Sequence, residues 1–218
     1  MRIPEIRPYW EALQKKRVQL FVKRLFDVAA ASALLVVLAL PMGILAFCVK
    51  RDSKGPVFYR QERVTTYGRV FRIHKFRTMV VDADKIGSAV TVGKDSRITK
   101  IGAKMRDSRL DELPQLLDVL AGNMSFVGVR PEAVKYVEQY KPESYATLLL
   151  PAGITSEASI RFKDESKMLE GVDNVDQVYM EKILPEKMKW NLKSIREFGL
   201  SGDVTTMIRT VFAVLKRD

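Results

Sequence analysis

The sequence contains one cysteine and one histidine in 218 residues. This excludes an internal disulfide framework and a Cys-rich zinc site, and it confines any Cys–His catalysis to Cys48 and His74. There is no internal repeat and no low-complexity linker. Charge is absent from one long stretch, Val28 to Val49. The chain as a whole is 47% hydrophobic and 29% charged, which excludes a disordered or collagen-like chain. It is enough apolar material for one medium domain, or for a small domain with a membrane element.

The net charge of +11 is unevenly placed. Residues 1–49 balance at +4, residues 50–109 at +10 and residues 110–218 at −3. Concentration of positive charge in sixty residues points to a patch that holds anions rather than to a uniform solubilising surface. Nucleic acid, phosphorylated small molecules and acidic lipid headgroups all fit such a patch.

The uncharged run of 22 residues would be about 33 Å long as a helix, enough for a bilayer core of roughly 30 Å. It starts late and lacks a small-residue cleavage site, unlike a signal sequence. Pro41 lies inside it and predicts a kink. Lys15, Lys16, Arg17, Lys23 and Arg24 precede it, and Lys50, Arg51 and Lys54 follow. Positive charge on both flanks holds both ends on the cytoplasmic side. A helix that enters, bends near Pro41 and returns meets both conditions; a straight span with a tolerated proline is the competing geometry.

Elsewhere, residues 9–27 read as a basic amphipathic helix suited to anionic lipid. Residues 57–61 and 70–74 read as strands of a hairpin turning at Tyr67-Gly68. Residues 82–103 read as a loop followed by a helix. Leucines at helical spacing from Leu110 to Leu120 predict a helix ended by Gly122, and Pro131 is expected to open another running to Tyr140. Residues 185–198 and 203–217 carry apolar stripes, for which core packing is the default and an interfacial helix the functional reading. The expected class is α+β and mainly helical, with residues 1–52 as membrane element and 53–218 as a cytosolic catalytic domain.

Asp111 and Glu112 stand together at the start of an apolar helix. Acidic residues favour helix N-termini, and Ser108 to Asp111 fits a capping box, which needs no chemistry. Their surroundings add to this reading. Arg97, Lys100, Lys104, Arg106 and Arg109 crowd the approach. Carboxylates among cations stay ionised and can bind a divalent metal, while the cations hold phosphate. An ionised Asp beside metal-bound phosphate is a competent nucleophile for a two-step phosphoryl transfer. His74 to Met79 forms a second basic cluster, and Arg130 stands in a Gly/Pro loop.

The order KRLFD, an apolar run broken by Pro41, GPVFYRQER, HKFRTM, RLDELPQLLDVLAGNMSFVGVRPE and PAGITSEASI resembles the bacterial sugar transferases, small monotopic phosphoglycosyl transferases. Each piece is weak singly; the set, spanning about residues 20–210, is specific. The resemblance implies a re-entrant helix on the cytoplasmic face of a bacterial inner membrane. It implies transfer of a phosphosugar from a UDP-sugar to polyprenyl (undecaprenyl) phosphate with release of UMP, initiating a polysaccharide or other glycoconjugate. It implies Mg²⁺, with Asp111 as nucleophile and metal contact and Glu112 as its partner. Lys75, Arg77, Arg97, Arg106 and Arg130 are the expected substrate-binding residues, and Pro41 is the kink residue. Two positions depart from the family: Leu40-Pro41 where Ser-Pro is usual, and Val129-Arg130-Pro131 where Pro-Arg-Pro is usual.

The alternative is a membrane-anchored basic protein that binds nucleic acid or acidic lipid without chemistry. Nucleic acid is disfavoured, because no aromatic–basic alternation of the kind that stacks bases is present. Membrane lipids are expected partners, and a homodimer is compatible with the reading. Residues that select the sugar are expected in the loop at 82–96 or the segment at 151–172.

Overall fold

The computed structural model describes residues 3–83 and 95–215. The chain is mainly helical, with two small β-pairs. Helix α1 spans Arg7–Gln14 and α2 spans Arg17–Asp52. The single amphipathic helix expected over residues 9–27 is therefore broken at Lys15-Lys16. There the Lys16 N–H closes a tight turn onto the Leu13 carbonyl, and its ammonium reaches the Phe198 carbonyl. Tyr9 and Leu13 are buried with Ile195 and Phe198, so α1 belongs to the protein core and is not free for lipid.

Helix α2 runs on through Pro41 for 36 residues, and it is the one helix among the described residues long and apolar enough to cross a membrane. It is tied to the folded unit near both ends. Lys23 Nζ donates to the Val127 carbonyl (2.9 Å) and to Asp203 (2.6 Å). Arg24 donates to the carbonyls of Val119 and Leu120, the negative end of a helix. Asp27 accepts the Phe126 N–H. At the far end Asp52 accepts the Ile101 N–H in the first turn of a helix, where a carboxylate is favoured. Between these anchors, Ala31, Leu35 and Leu38 pack on one apolar cluster, and Met42, Leu45 and Val49 on another. The opposite face is bare: Val36, Val37, Leu40 and Phe47 are each more than 60% exposed.

Strands β1 (Phe58–Val64) and β2 (Val70–Phe76) form the expected hairpin, antiparallel from Phe58↔Phe76 to Val64↔Val70. Tyr67 and Gly68 both take positive φ, as the twist of a short hairpin requires. Helix α3 spans Lys100–Asp107. The helix expected to begin at Asp111 instead opens with a 3-10 turn, Leu110–Glu112, and only then α4, Gln115–Leu120. The capping box does not form, because Ser108 Oγ donates back to the carbonyls of Lys104 and Met105. Gly122, at φ +77, ends α4 as expected.

Strand β3 (Met124–Val127) pairs in parallel with β4 (Ala152–Thr155), a pairing that local pattern did not reveal. Gly128, just beyond β3, and Gly153, within β4, are in backbone contact: a Cβ on Gly153 would lie 2.2 Å from the Gly128 nitrogen. The helix expected from Pro131 to Tyr140 shrinks to α5, Val134–Val137, because the Glu132 carbonyl is drawn off to accept the Val64 N–H at the end of β1. Short helices α6 (Glu157–Arg161), α7 (Glu165–Met168) and α8 (Val175–Val178) lead through one π turn, Tyr179–Ile183, into α9 (Leu184–Arg196). The α9 stripe packs in the core, with Met188 and Ile195 buried. Helix α10 (Leu200–Leu215) leaves Ile208, Val211, Phe212 and Leu215 exposed.

One buried carboxylate fixes the hairpin against α4. Asp118, 1% exposed, accepts both the His74 N–H and, at 2.8 Å, its Nδ1. Asp118→Ala leaves that backbone N–H without a partner in the interior. The expected loss is about 2–3 kcal/mol, a fall of roughly 4–12 °C in Tm for a chain of this size, read by heat-induced unfolding in detergent.

Candidate active site

The Asp111-Glu112 dyad sits where the chain reverses. After α3, Arg109 takes a left-handed conformation (φ 58, ψ 18), uncommon for a residue with a side chain. The reversal brings the 3-10 turn beside β2. Alternation along that strand decides which side chains arrive: Lys75 reaches Glu112, while its neighbour His74 turns onto Asp118.

Glu112 is held by two cations at one oxygen. Lys75 Nζ lies 2.6 Å from Oε1 and Arg130 Nη2 lies 2.5 Å from the same atom, with Arg130 Nη1 3.4 Å from Oε2. Burial alone would raise this carboxyl, but Arg130 and Lys75 outweigh it and hold it well below the usual carboxylate range. In return Glu112 lifts the Arg130 guanidinium above its ordinary range. At Lys75 burial prevails and lowers the ammonium despite Glu112.

Asp111 is the opposite case. It is 7% exposed, and it makes no hydrogen bond or ion pair with any other described residue. Burial raises its carboxyl; Lys75 pulls it down, Glu112 pushes it up, and Arg106 and Arg130 pull it down, with a net shift upward. An unpaired carboxylate keeps all its lone pairs for attack on an electrophile or for a cation.

Two cavities meet at this dyad. A polar one of about 500 Å³ is walled in part by Lys75, Arg106, Asp111, Arg130 and Lys163. The other, about 680 Å³, is a groove lined by Leu34 and Leu38 of α2, Phe126, Ile154, and Ala213 and Val214 of α10. Arg109, Glu112, Arg130 and Lys163 line both. A polar chamber thus joins an apolar groove at the paired carboxylate.

Of the residues expected from sequence, Lys75, Arg106, Asp111, Glu112 and Arg130 come together around the polar cavity. Arg77 does not join them. Its guanidinium is buried against the carbonyls of Ser53 and Lys54, where it ties the end of β2 to the exit of α2. Arg97 is forked onto Asp95 and donates to the Ala83 carbonyl, also outside the residues lining the cavity. Residues 84–94, most of the loop expected to select the sugar, lie outside the described residues. Lys163 falls within the segment 151–172 and the α10 wall within the stripe 203–217, both noted in the sequence, but no local motif singles out Lys163, Ala213 or Val214.

Among the described residues no cluster of three or more His, Cys, Asp or Glu side chains forms a ready-made metal site. Mg²⁺ needs less where substrate phosphates and water complete its shell, since one or two carboxylates then suffice. Asp111, with Asp107 on the same cavity, fits that requirement.

The bacterial sugar transferase family model matches residues 18–217. A UDP-glucose:undecaprenyl-phosphate glucose-1-phosphate transferase of Escherichia coli K12 is 36% identical over 200 residues, 89% of this chain and 40% of that protein. A protein of the same name from Caulobacter vibrioides is 33% identical over 199 residues, 90% of this chain and 70% of its own length. The exopolysaccharide production protein PSS of Rhizobium leguminosarum bv. phaseoli is 39% identical over 151 residues, 66% of this chain and 76% of that protein. This chain thus spans less than half the length of the E. coli relative. The matched region carries the α2 anchors, the dyad and both cavities, and the chain belongs to the bacterial sugar transferase family.

Proposed function

We propose that this chain transfers a sugar 1-phosphate from a UDP-sugar to polyprenyl phosphate. The observation that carries the reading is the unpaired Asp111 beside a doubly paired Glu112, at the junction of a polar chamber and an apolar groove. The chamber suits a nucleoside diphosphate sugar. The groove, which runs from the exposed faces of α2 and α10, suits an isoprenoid chain entering from the bilayer. The names of the E. coli and Caulobacter relatives state the same pair of substrates. Nothing in the geometry favours binding without chemistry.

An Asp111 oxygen attacks the phosphorus that bears the sugar. A P–O bond forms, the diphosphate bridge breaks, and UMP leaves with the bridging oxygen. The phosphosugar is then an acyl phosphate on Asp111. An oxygen of polyprenyl phosphate attacks the same phosphorus, the bond to Asp111 breaks, and the carboxylate is restored. Lys75 and Arg130 hold Glu112 in place and present their remaining N–H groups to the phosphates, while Arg106, Arg109 and Lys163 add positive charge to the cavity wall. Glu112, low in pKa and doubly paired, positions these cations. Asp111 would hold Mg²⁺, which would supply neutralisation of the diphosphate's negative charge.

The membrane reading follows from where α2 is fixed. Anchors at Lys23, Arg24 and Asp27 and again at Asp52 bind both parts of the helix to one folded unit, while its outer face is bare and apolar. A helix so held would dip into the bilayer from one side without crossing it, and the basic flanks would place both ends at the cytoplasmic face of the bacterial inner membrane. The exposed stripe of α10 lies in the same interface.

Asp111→Asn should reduce UMP release from the preferred UDP-sugar by at least about 1000-fold. It should also raise Tm at pH 7 by about 2 °C. The sign follows from the raised carboxyl: the fold disfavours its charged form, so removing the charge stabilises, and the gain shrinks as pH falls into the carboxylate range. Turnover retained by this variant would remove Asp111 as nucleophile. Topology is tested by single cysteines at positions 20 and 53 in a Cys48→Ser background. Both should resist an impermeant maleimide applied to spheroplasts and react after lysis; labelling of one end from outside would establish a straight span.

A further inference from the structure

The far side of the polar cavity is built unlike the side that holds the dyad. Glu132, Tyr179, Lys187 and Glu165 form one hydrogen-bonded group there. Tyr179 Oη donates to Glu132 Oε1 at 2.7 Å. Lys187 Nζ donates to Tyr179 Oη at 3.0 Å and to Glu165 Oε2 at 2.9 Å, and lies 3.5 Å from Glu132 Oε1. Glu132, Tyr179 and Lys187 are all buried. Three separate pieces of chain supply the group, Tyr179 and Lys187 sharing one continuous helical stretch. Glu132 follows the Arg130 loop, Glu165 opens α7, Tyr179 begins the π turn, and Lys187 comes from α9. π turns of this kind recur at functional sites. None of the four is hydrogen-bonded to Asp111 or Glu112, and the transfer steps above make no use of them.

Burying a carboxylate and an ammonium, with a second carboxylate half-buried beside them, is a poor device for stability, since a well-packed apolar replacement is commonly neutral or better. At a cavity wall the same groups have a use. Each carboxylate keeps lone pairs beyond those already engaged, and Lys187 keeps one N–H beyond its two hydrogen bonds, while the single O–H of Tyr179 is spent on Glu132 and holds that carboxylate in place. A ring hydroxyl both donates and accepts, so this wall can match it in both roles. The methyl of an acetamido group, or a deoxygenated carbon, would meet charged groups it cannot pair with.

We propose that Glu132, Tyr179, Lys187 and Glu165 read the sugar ring of the donor, and that this sugar is a neutral hexose with free ring hydroxyls rather than an N-acetylated or deoxygenated one. The assignment rests on the transfer reaction proposed above, and it adds to that reaction the sugar class and the residues that choose it. Glu165 falls within the segment expected to select the sugar; Tyr179 and Lys187 lie beyond it.

The test is binding, measured by calorimetry on the detergent-purified full chain. The ligands are UDP, UDP-glucose, UDP-galactose, UDP-N-acetylglucosamine and UDP-N-acetylgalactosamine. The proteins are the unaltered chain, Tyr179→Phe, which keeps the ring, and Glu165→Gln, whose side chain is 23% exposed and tolerant of the change. The unaltered chain should bind one hexose donor about tenfold or more tightly than either N-acetylhexosamine donor. Each variant should shrink that preference about fivefold or more, with the affinity for UDP itself held within about twofold. Tighter binding of an N-acetylhexosamine donor by the unaltered chain overturns the proposal. So does an equal loss across every nucleotide including UDP, the result of a packing role. UMP release is scored separately: a chain that discriminates as expected and releases no UMP keeps this inference and overturns the transfer reaction.

Discussion

A carboxylate carried into a protein interior must find partners there, and Glu112 is where this chain meets that rule. Its two cations come from places far apart in sequence, Lys75 on the hairpin and Arg130 on the loop after β3. Holding them requires the hairpin to be fixed on α4, which Asp118 does through His74. It also requires the Arg130 loop to be fixed near β4, which the glycine contact at residues 128 and 153 allows. Once Glu112 has taken both cations, its neighbour Asp111 is left buried near them but without a hydrogen bond or ion pair to any other described residue. The two adjacent acids, alike in sequence, are made unlike by the company each keeps.

The same economy of position governs the approach of substrates. The dyad faces a chamber of polar walls on one side and a groove between α2 and α10 on the other, with Arg109, Arg130 and Lys163 common to both. A water-soluble phosphate ester and a lipid phosphate have little in common except their phosphates, and it is at the cationic junction that their phosphates would meet. The left-handed Arg109 makes this possible, because it reverses the chain between α3 and the 3-10 turn at the point where the two spaces join.

Much of this was legible in the residues themselves. The turn at Tyr67-Gly68, the helix end at Gly122, the long apolar helix and the gathering of Lys75, Arg106 and Arg130 about the dyad follow from local pattern or from motif order. What was not legible depends on contacts distant along the chain. Ser108 had two ways to satisfy its hydroxyl, as a cap or by bonding back into α3, and only the fold decides between them. The helix after Pro131 is cut short by the N–H of Val64, far upstream, which takes the Glu132 carbonyl. Arg77 sits in a run of basic residues that reads as anion-binding, yet its nearest acceptors are two carbonyls at the end of α2. The wall made by Glu132, Glu165, Tyr179 and Lys187 has no local signature, because the three pieces of chain that supply it meet only in the fold.

The KRLFD segment has its charged residues turned inward and its apolar ones outward. Lys23 and Asp27 are buried, while Leu25 and Phe26, and Phe21 just before the segment, are exposed. In water this is an inverted helix; against lipid it is the correct one. Its buried charges are satisfied only by groups of the domain, namely the Val127 carbonyl, Asp203 and the Phe126 N–H. On the membrane reading proposed above, its apolar face would be satisfied by the bilayer. Each environment would then satisfy one face of the same helix, which would couple insertion to tertiary packing.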